Sequence, residues 1–156
     1  MVVSTTVDLF DELTGVLAAL DAASIDYALV GGLAVAVWGA PRATKDIDLL
    51  IESADLPRAM SAVAARGFTL AGLPFEFKDG STLQRVNRVD AAGNLMTIDF
   101  LLVDRNLEPI WSSRTRLPFG SSSVSVISRD ALIAMKAGAG RPQDLADIQS
   151  LREIDR

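Results

Sequence analysis

Arg42-Ala43-Thr44-Lys45-Asp46-Ile47-Asp48-Leu49-Leu50-Ile51 decides how this chain reads. From Asp46 onward acid and aliphatic residues alternate and then give way to an apolar run, the pattern of a strand with one face in a core. Side chains two apart in a strand leave from the same face, about 6.5–7 Å apart along the chain. Asp46 and Asp48 therefore project together, while Ile47 and Leu49 turn inward. Two neighbouring carboxylates repel, and they favour a shared proton or a cation. Upstream, Tyr27-Ala28-Leu29-Val30 is the short continuous apolar run expected of a buried strand. Gly31-Gly32 ends it, and Leu33 to Trp38 has the composition of a small buried helix that Gly39-Ala40-Pro41 breaks. Two glycines at a helix start present bare backbone N–H groups, backed by the helix dipole, to anionic oxygens such as those of phosphate. Arg42, Thr44 and Lys45 add cationic and hydroxyl donors on the loop that enters the acidic strand.

Working outward, Leu9, Leu13, Val16, Leu17 and Leu20 recur at helical spacing, so Asp8 to Ala23 is expected to be an amphipathic helix. Asp55 to Arg66 has the same character, with Leu56, Ala59, Met60 and Val63 on one face and Gly67 closing the end. Leu83 to Val89 and Leu95 to Val103 flank Asp90-Ala91-Ala92-Gly93-Asn94, which predicts a hairpin. Val124, Val126 and Ile127 suggest another short strand. Ser128 is placed to N-cap a helix carrying Ala131, Leu132, Ile133 and Met135, and Pro142 suits the first turn of a last helix running to about Ile154. Strands mixed with flanking helices give an α/β or α+β fold, a mixed sheet with helices around it. The 156 residues suit one domain spanning 1–156, and 49% hydrophobic content is enough for a real core.

A third acid, Asp99, stands in Thr97-Ile98-Asp99-Phe100-Leu101-Leu102, which should be a central strand. A lone carboxylate there is costly unless it has a partner. If it lies beside Asp46 and Asp48, three carboxylates meet in one cleft, and such a trio can hold two cations. The chain has no Cys and no His. That excludes a disulfide framework, a thiolate zinc site, a cysteine nucleophile, a Ser-His-Asp triad and imidazole ligation. Oxygen donors alone point to a hard ion, Mg²⁺ or Mn²⁺. Each piece also has a plainer explanation. Gly31-Gly32 alone is compatible with a simple turn, and Asp46-Ile47-Asp48 with a solvated strand edge. Asp99 alone is compatible with capping a neighbour or pairing with Arg85 or Arg88. Trp38 and Trp111 read as core aromatics.

At these residues the chain resembles the DNA polymerase β-like nucleotidyltransferase superfamily, and within it the small bacterial branch of the AbiEii-type toxins and the aminoglycoside adenylyltransferases. That pattern is a glycine pair opening a short helix, Arg-x-Thr-x-Asp-x-Asp downstream, and a third Asp on a later strand. Gly31-Gly32, Arg42 to Asp48, and Asp99 match it. A further pattern of the branch, Leu-x-x-x-Lys followed by Arg-x-x-Asp-x-x-Asp, is met by Leu132 to Lys136 and by Arg141 to Asp147. The resemblance spans about Tyr27 to Leu151. It implies a mixed-sheet nucleotidyltransferase fold, Mg²⁺, and transfer of a nucleoside monophosphate from a nucleoside triphosphate such as ATP, with release of pyrophosphate. By matching position Asp46 and Asp48 would ligate both ions. Asp99 would ligate the catalytic ion and draw the acceptor's proton. Gly31 and Gly32 would cradle the phosphates, aided by Arg42 and Thr44, with Lys136 near the triphosphate. The chain departs from the wider superfamily in having Gly32 where a serine is common. Lys136, Asp144 and Asp147 are equally compatible with a solvated helix surface.

The resemblance leaves the acceptor open among a small molecule, a protein and a tRNA, and it raises a toxin with a cognate antitoxin as the setting. The alternatives are a catalytically degenerate nucleotide-binding or partner module and an antibiotic-modifying adenylyltransferase. A net charge of -5 disfavours nonspecific duplex binding. Met1 to Leu20 lacks a basic n-region, and the longest apolar run, Tyr27 to Ala40, is too short and too rich in glycine to span a bilayer. The expectation is a soluble cytoplasmic protein.

Overall fold

A computed structural model describes residues 5–154. The elements follow in the order α1 (Thr5–Ala22), β1 (Ala28–Val30), α2 (Gly31–Trp38), β2 (Asp46–Glu52), a 3₁₀ turn (Ser53–Asp55), α3 (Leu56–Ala64), β3 (Leu70–Ala71), β4 (Phe75–Glu76), β5 (Thr82–Val89), β6 (Leu95–Val103), α4 (Glu108–Ser112), β7 (Thr115–Phe119), β8 (Ser122–Val126), α5 (Arg129–Ala139) and α6 (Pro142–Arg152). The strands form one mixed sheet in the order β3-β5-β6-β2-β1-β8-β7, with β4 paired to β5. β2 runs parallel to β6 and antiparallel to β1, and β5 and β6 form the expected hairpin. This is the mixed sheet flanked by helices that the sequence implies.

The helices follow their apolar spacing. Leu9, Leu13, Val16, Leu17 and Leu20 of α1 are all buried, and α1 packs on α3 through Ala59 and Val63. Ser128 caps α5, its hydroxyl accepting from the Ala131 backbone N–H at 3.0 Å. α5 and α6 pack on each other and against α2. The small helix begins at the glycine pair itself, two residues earlier than the composition of Leu33 to Trp38 suggests. Trp111 is buried, and the half-buried Trp38 donates its indole N–H to the Ile127 carbonyl at 3.0 Å, so both tryptophans serve the core.

β3, β4, α4 and β7 are not evident in the sequence. β3 and β4 are two residues each and all four positions are exposed; the alternation of Leu73, Phe75 and Phe77 around β4 is broken by Gly72, Pro74 and Gly80 and is too short to mark a strand. β7 contains Arg116 and Pro118 and owes its form to pairing with β8. Among the described residues no helix is long and apolar enough to cross a membrane.

Candidate active site

The register of three neighbouring strands builds the acidic row. In the parallel β2–β6 pair Asp48 stands opposite Asp99 and Asp46 opposite Thr97. In the antiparallel β5–β6 pair Arg85 stands opposite Asp99. Asp48, Asp99 and Arg85 thus form a line across the sheet. Asp99 is buried, at 5% exposure, and Arg85 grips it with both ends of its fork, Nε to Oδ1 at 2.8 Å and Nη2 to Oδ2 at 2.9 Å. This realises the Arg85 pairing that the sequence left open beside a three-acid centre. Asp48 and Asp99 are neighbours, yet among the described residues no three acidic side chains come together as an ion-binding group. Asp99 faces a guanidinium instead.

Asp46 and Asp48 are half-buried on the face opposite Ile47 and Leu49. Burial pushes the Asp48 carboxyl up to about 7, with the charges of Asp99 and Asp46 adding to it and those of Lys136 and Arg85 opposing. Asp46 is raised as well, by burial first and by Asp99 second. Neither carboxylate receives a hydrogen bond from the described residues. Two unpartnered carboxylates on one strand face, with no nitrogen or sulfur ligand nearby, suit a hard divalent cation. Asp99 has both oxygens on Arg85, so it joins that set only by giving one of them up.

Gly31 and Gly32 are required by their neighbours. Gly31 adopts φ +71, where a side chain is strained. A Cβ there would fall within 2.9 Å of Asp48 Cγ and 3.0 Å of Asp48 Cβ, and closer still to Oδ2. A Cβ at Gly32 would fall 2.7 Å from the Thr44 hydroxyl and 3.1 Å from Arg42 Nη2. The glycines thus let the acidic strand and its entering loop close over the start of α2, where no acidic residue lies in the first turn.

The paired C-terminal helices contribute a buried ionic network. Lys136 Nζ lies 3.0 Å from Asp147 Oδ2 and 3.4 Å from Asp144 Oδ1, and all three residues are buried. Arg42 reaches across from the loop before β2 to hold Asp147 with two bonds, 2.7 and 2.9 Å. Arg141 holds Asp144 through its guanidinium at 2.7 and 3.1 Å and through its backbone N–H at 3.1 Å. The Arg141 hydrogen bond keeps the Asp144 carboxyl down at about 2. Burial raises Asp147, but hydrogen bonds from Arg42, Lys136 and Gln143 outweigh it and leave the carboxyl lowered. The solvated-surface alternative for Lys136, Asp144 and Asp147 is therefore corrected. Desolvated acids need cations, and α5, α6 and the Arg42 loop supply them.

A cleft of about 480 Å³ opens between the sheet and the C-terminal helices. Gly31, Asp48, Asp99, Lys136, Arg141 and Asp144 line its polar end. Phe77, Leu83, Leu101, Leu107, Leu132 and Met135 supply its apolar lining, with Asp79 and Ser81 in the turn beside Phe77. Asp46, Gly32, Arg42 and Thr44 stand outside this wall, behind Asp48 and at the start of α2. The sequence matches Arg141 to the family pattern without giving its side chain a role, and it does not single out the Phe77 and Leu107 wall. Arg141 had a signal in its i,i+3 spacing to Asp144. Phe77 had a weak one, the alternation of Leu73, Phe75 and Phe77 with Pro74, Glu76 and Lys78, cut short by Asp79-Gly80.

A chain with this glycine pair, this acidic strand and this helix pair invites comparison with known proteins. Residues 15–155 match the model of the family described as nucleotidyl transferase AbiEii toxin, type IV TA system. The chain belongs to that family. Its AbiEii membership makes it a nucleotidyltransferase of toxin–antitoxin type and bears out the resemblance seen in the sequence. No curated protein matches it in sequence. Among solved structures, the lincosamide antibiotic adenylyltransferase LnuA, with lincomycin bound, is 16% identical over 93% of this chain and 97% of its own, with a TM-score of 0.66. ANT(2″)-Ia, in complex with adenylyl-2″-tobramycin, is 16% identical over 92% of this chain and 87% of its own, with a TM-score of 0.64. TM1012 from Thermotoga maritima is 11% identical over 94% of each chain, with a TM-score of 0.67. At these identities the likeness is one of fold, and it agrees with the fold described above.

Proposed function

We propose that this AbiEii-family chain transfers a nucleoside monophosphate from a nucleoside triphosphate to a hydroxyl acceptor, with Mg²⁺ or Mn²⁺ held by Asp46 and Asp48. The observation that carries the reading is the standing of Asp48 beside Asp99, at the polar end of a cleft whose opposite wall presents Lys136 and Arg141. Negative charge on one side and positive on the other suit a metal-bound polyphosphate. The ion, when bound, would neutralise phosphate charge and lower the barrier at phosphorus.

The residues do the rest by position. Gly31 and Gly32 present free backbone N–H groups of α2 to the terminal phosphates, and Thr44 and Arg42 close that end. Lys136, fixed by Asp144 and Asp147, holds a positive charge in the cleft wall toward the triphosphate. Asp99 accepts the proton of the acceptor hydroxyl as the new O–P bond forms at the α-phosphorus and the bond to pyrophosphate breaks. Little covalent chemistry is asked of the protein, which is why a chain without His or Cys suffices.

A cytoplasmic toxin acting as a single domain, countered by a cognate antitoxin, is the biological setting of this reading. The structural neighbours bound to lincomycin or to adenylyl-tobramycin raise a drug as acceptor. The cleft lining carries Asp79 among its apolar residues and Lys136 and Arg141 beside its other acids, and the acceptors this reading admits are a protein, a tRNA or a small molecule. The test is incubation with α-labelled nucleoside triphosphates, Mg²⁺ and acceptor pools of tRNA, protein and antibiotics. Label transfer with pyrophosphate release, abolished by Asp48→Asn in a folded protein, is the expected result. Tight nucleotide binding without transfer to any acceptor would favour the catalytically degenerate module, and no transfer with no metal-dependent nucleotide binding would overturn the reading.

A further inference from the structure

We propose that Arg85 is a positioning residue that holds Asp99 in the ion-free protein and yields it when a divalent ion binds at Asp46 and Asp48. The proposal rests on the reading of those two acids as ion ligands and adds to it an exchangeable internal counter-charge.

Four acids are buried among the described residues, and three are held redundantly. Glu12 has Arg66 and Arg88. Asp144 has Arg141 and Lys136, and Asp147 has Arg42, Lys136 and Gln143. Asp99 has Arg85 alone. The Arg85 side chain is itself 53% exposed, twice the exposure of Arg42, and all its hydrogen bonds go to Asp99. Among the four buried acids, Asp99 is thus the one released by the departure of a single, mostly solvated partner. The guanidinium regains water on leaving, and the carboxylate needs only another cation in exchange.

Register supplies the place for that cation. Arg85, Asp99 and Asp48 occupy one row on β5, β6 and β2, with Asp99 in the middle. It thus has an arginine on one side and, on the other, a pair of unpartnered carboxylates that repel it. Cation binding on the Asp48 side and the Arg85 bond on the other compete for the same oxygens. Arg85 also adds to Lys136 and Lys45 the positive charge that offsets Asp46, Asp48 and Asp99 before substrate arrives.

Calorimetric titration with Mn²⁺ of the full chain, in wild type, Arg85→Met, Arg85→Lys, Asp99→Asn and the Arg85→Met/Asp99→Asn double variant, tests this. Arg85→Met is expected to bind Mn²⁺ about tenfold tighter, the low end of what an adjacent guanidinium does to a proton on the same carboxylate. Arg85→Lys, which keeps the charge without the fork, should fall between. Asp99→Asn should cost more affinity in the Arg85→Met background than in wild type. Where Arg85→Met does not fold, Mg²⁺ titration of wild type followed by the Arg85 Nε–H resonance decides: it shifts toward a solvated position if the pair opens. Unchanged Mn²⁺ affinity in folded Arg85→Met, or an unmoved Nε–H at saturation, overturns the proposal. If wild type binds Mn²⁺ and Asp48→Asn does not, that failure belongs to Arg85 alone. If no variant binds Mn²⁺, the ion-ligand reading fails with it.

Discussion

Replacing Gly31 with alanine probes the joint between the helix start and the acidic strand. Two costs arise there. The first is conformational: at φ +71 a Cβ costs about 1–2 kcal/mol. The second is steric, because the new Cβ meets Asp48 at Cγ (2.9 Å) and Cβ (3.0 Å), and either the carboxylate swings away or the strand shifts. Forcing atoms into a packed site costs about 1–3 kcal/mol. Restricting the unfolded chain returns about 0.4–1 kcal/mol. The net loss for Gly31→Ala is therefore about 2–4 kcal/mol. Gly140 isolates the first cost: it caps α5 at φ +65, and a Cβ there meets nothing nearer than 3.8 Å. Gly140→Ala should lose only about 1 kcal/mol. Urea denaturation of both variants, repeated in an Asp48→Ala background, separates the effects. Most of the Gly31 excess should vanish when the Asp48 carboxylate is gone. A Gly31→Ala variant no less stable than Gly140→Ala, or an excess indifferent to Asp48, would refute the steric coupling.

Other outcomes follow from the ionic network. Asp144 is held at about 2, below its unfolded range, so its pairing stabilises the fold above about pH 4 and is lost as pH falls through about 2. At 1.36 kcal/mol per unit this is worth about 2 kcal/mol, and Asp144→Asn should flatten the acid limb of stability measured by urea melts between pH 5 and 2. Lys136→Met leaves two buried carboxylates with less cationic support and should cost about 3–5 kcal/mol, toward the lower end because Arg42 and Arg141 remain; thermal melts check it. Phe77→Ala should weaken nucleotide or acceptor binding in the cleft with little change in stability, since Phe77 is 42% exposed; fluorescence titration beside a melt separates the two.

Much of this was legible before any coordinates. The apolar run from Leu95 to Val103 coincides with β6, and Asp90 to Asn94 forms the hairpin loop its residues imply. Because one step back along β5 is one step forward along β6, closing the hairpin at Val89 and Leu95 already sets Arg85 opposite Asp99. The sequence therefore held the pairing but not the choice between that arginine and a three-acid centre, because the parallel β2–β6 register depends on contacts far apart in the chain. The burial of Lys136, Asp144 and Asp147 was hidden for a related reason. Charged residues at helical spacing look solvated until the Arg42 loop is folded over them. The Phe75–Phe77 edge was barely legible because its short strands exist only by pairing with β5.

The central claim is that Asp46 and Asp48 gather a hard cation beside the glycine pair. The most direct measurement is anomalous scattering from crystals of the protein grown with Mn²⁺ and a nonhydrolysable nucleoside triphosphate. The account expects a manganese peak between the two carboxylates, with the terminal phosphates against the Gly31-Gly32 backbone and near Lys136. Manganese bound elsewhere, with Asp46 and Asp48 bare and the triphosphate remote from Gly31, would contradict it.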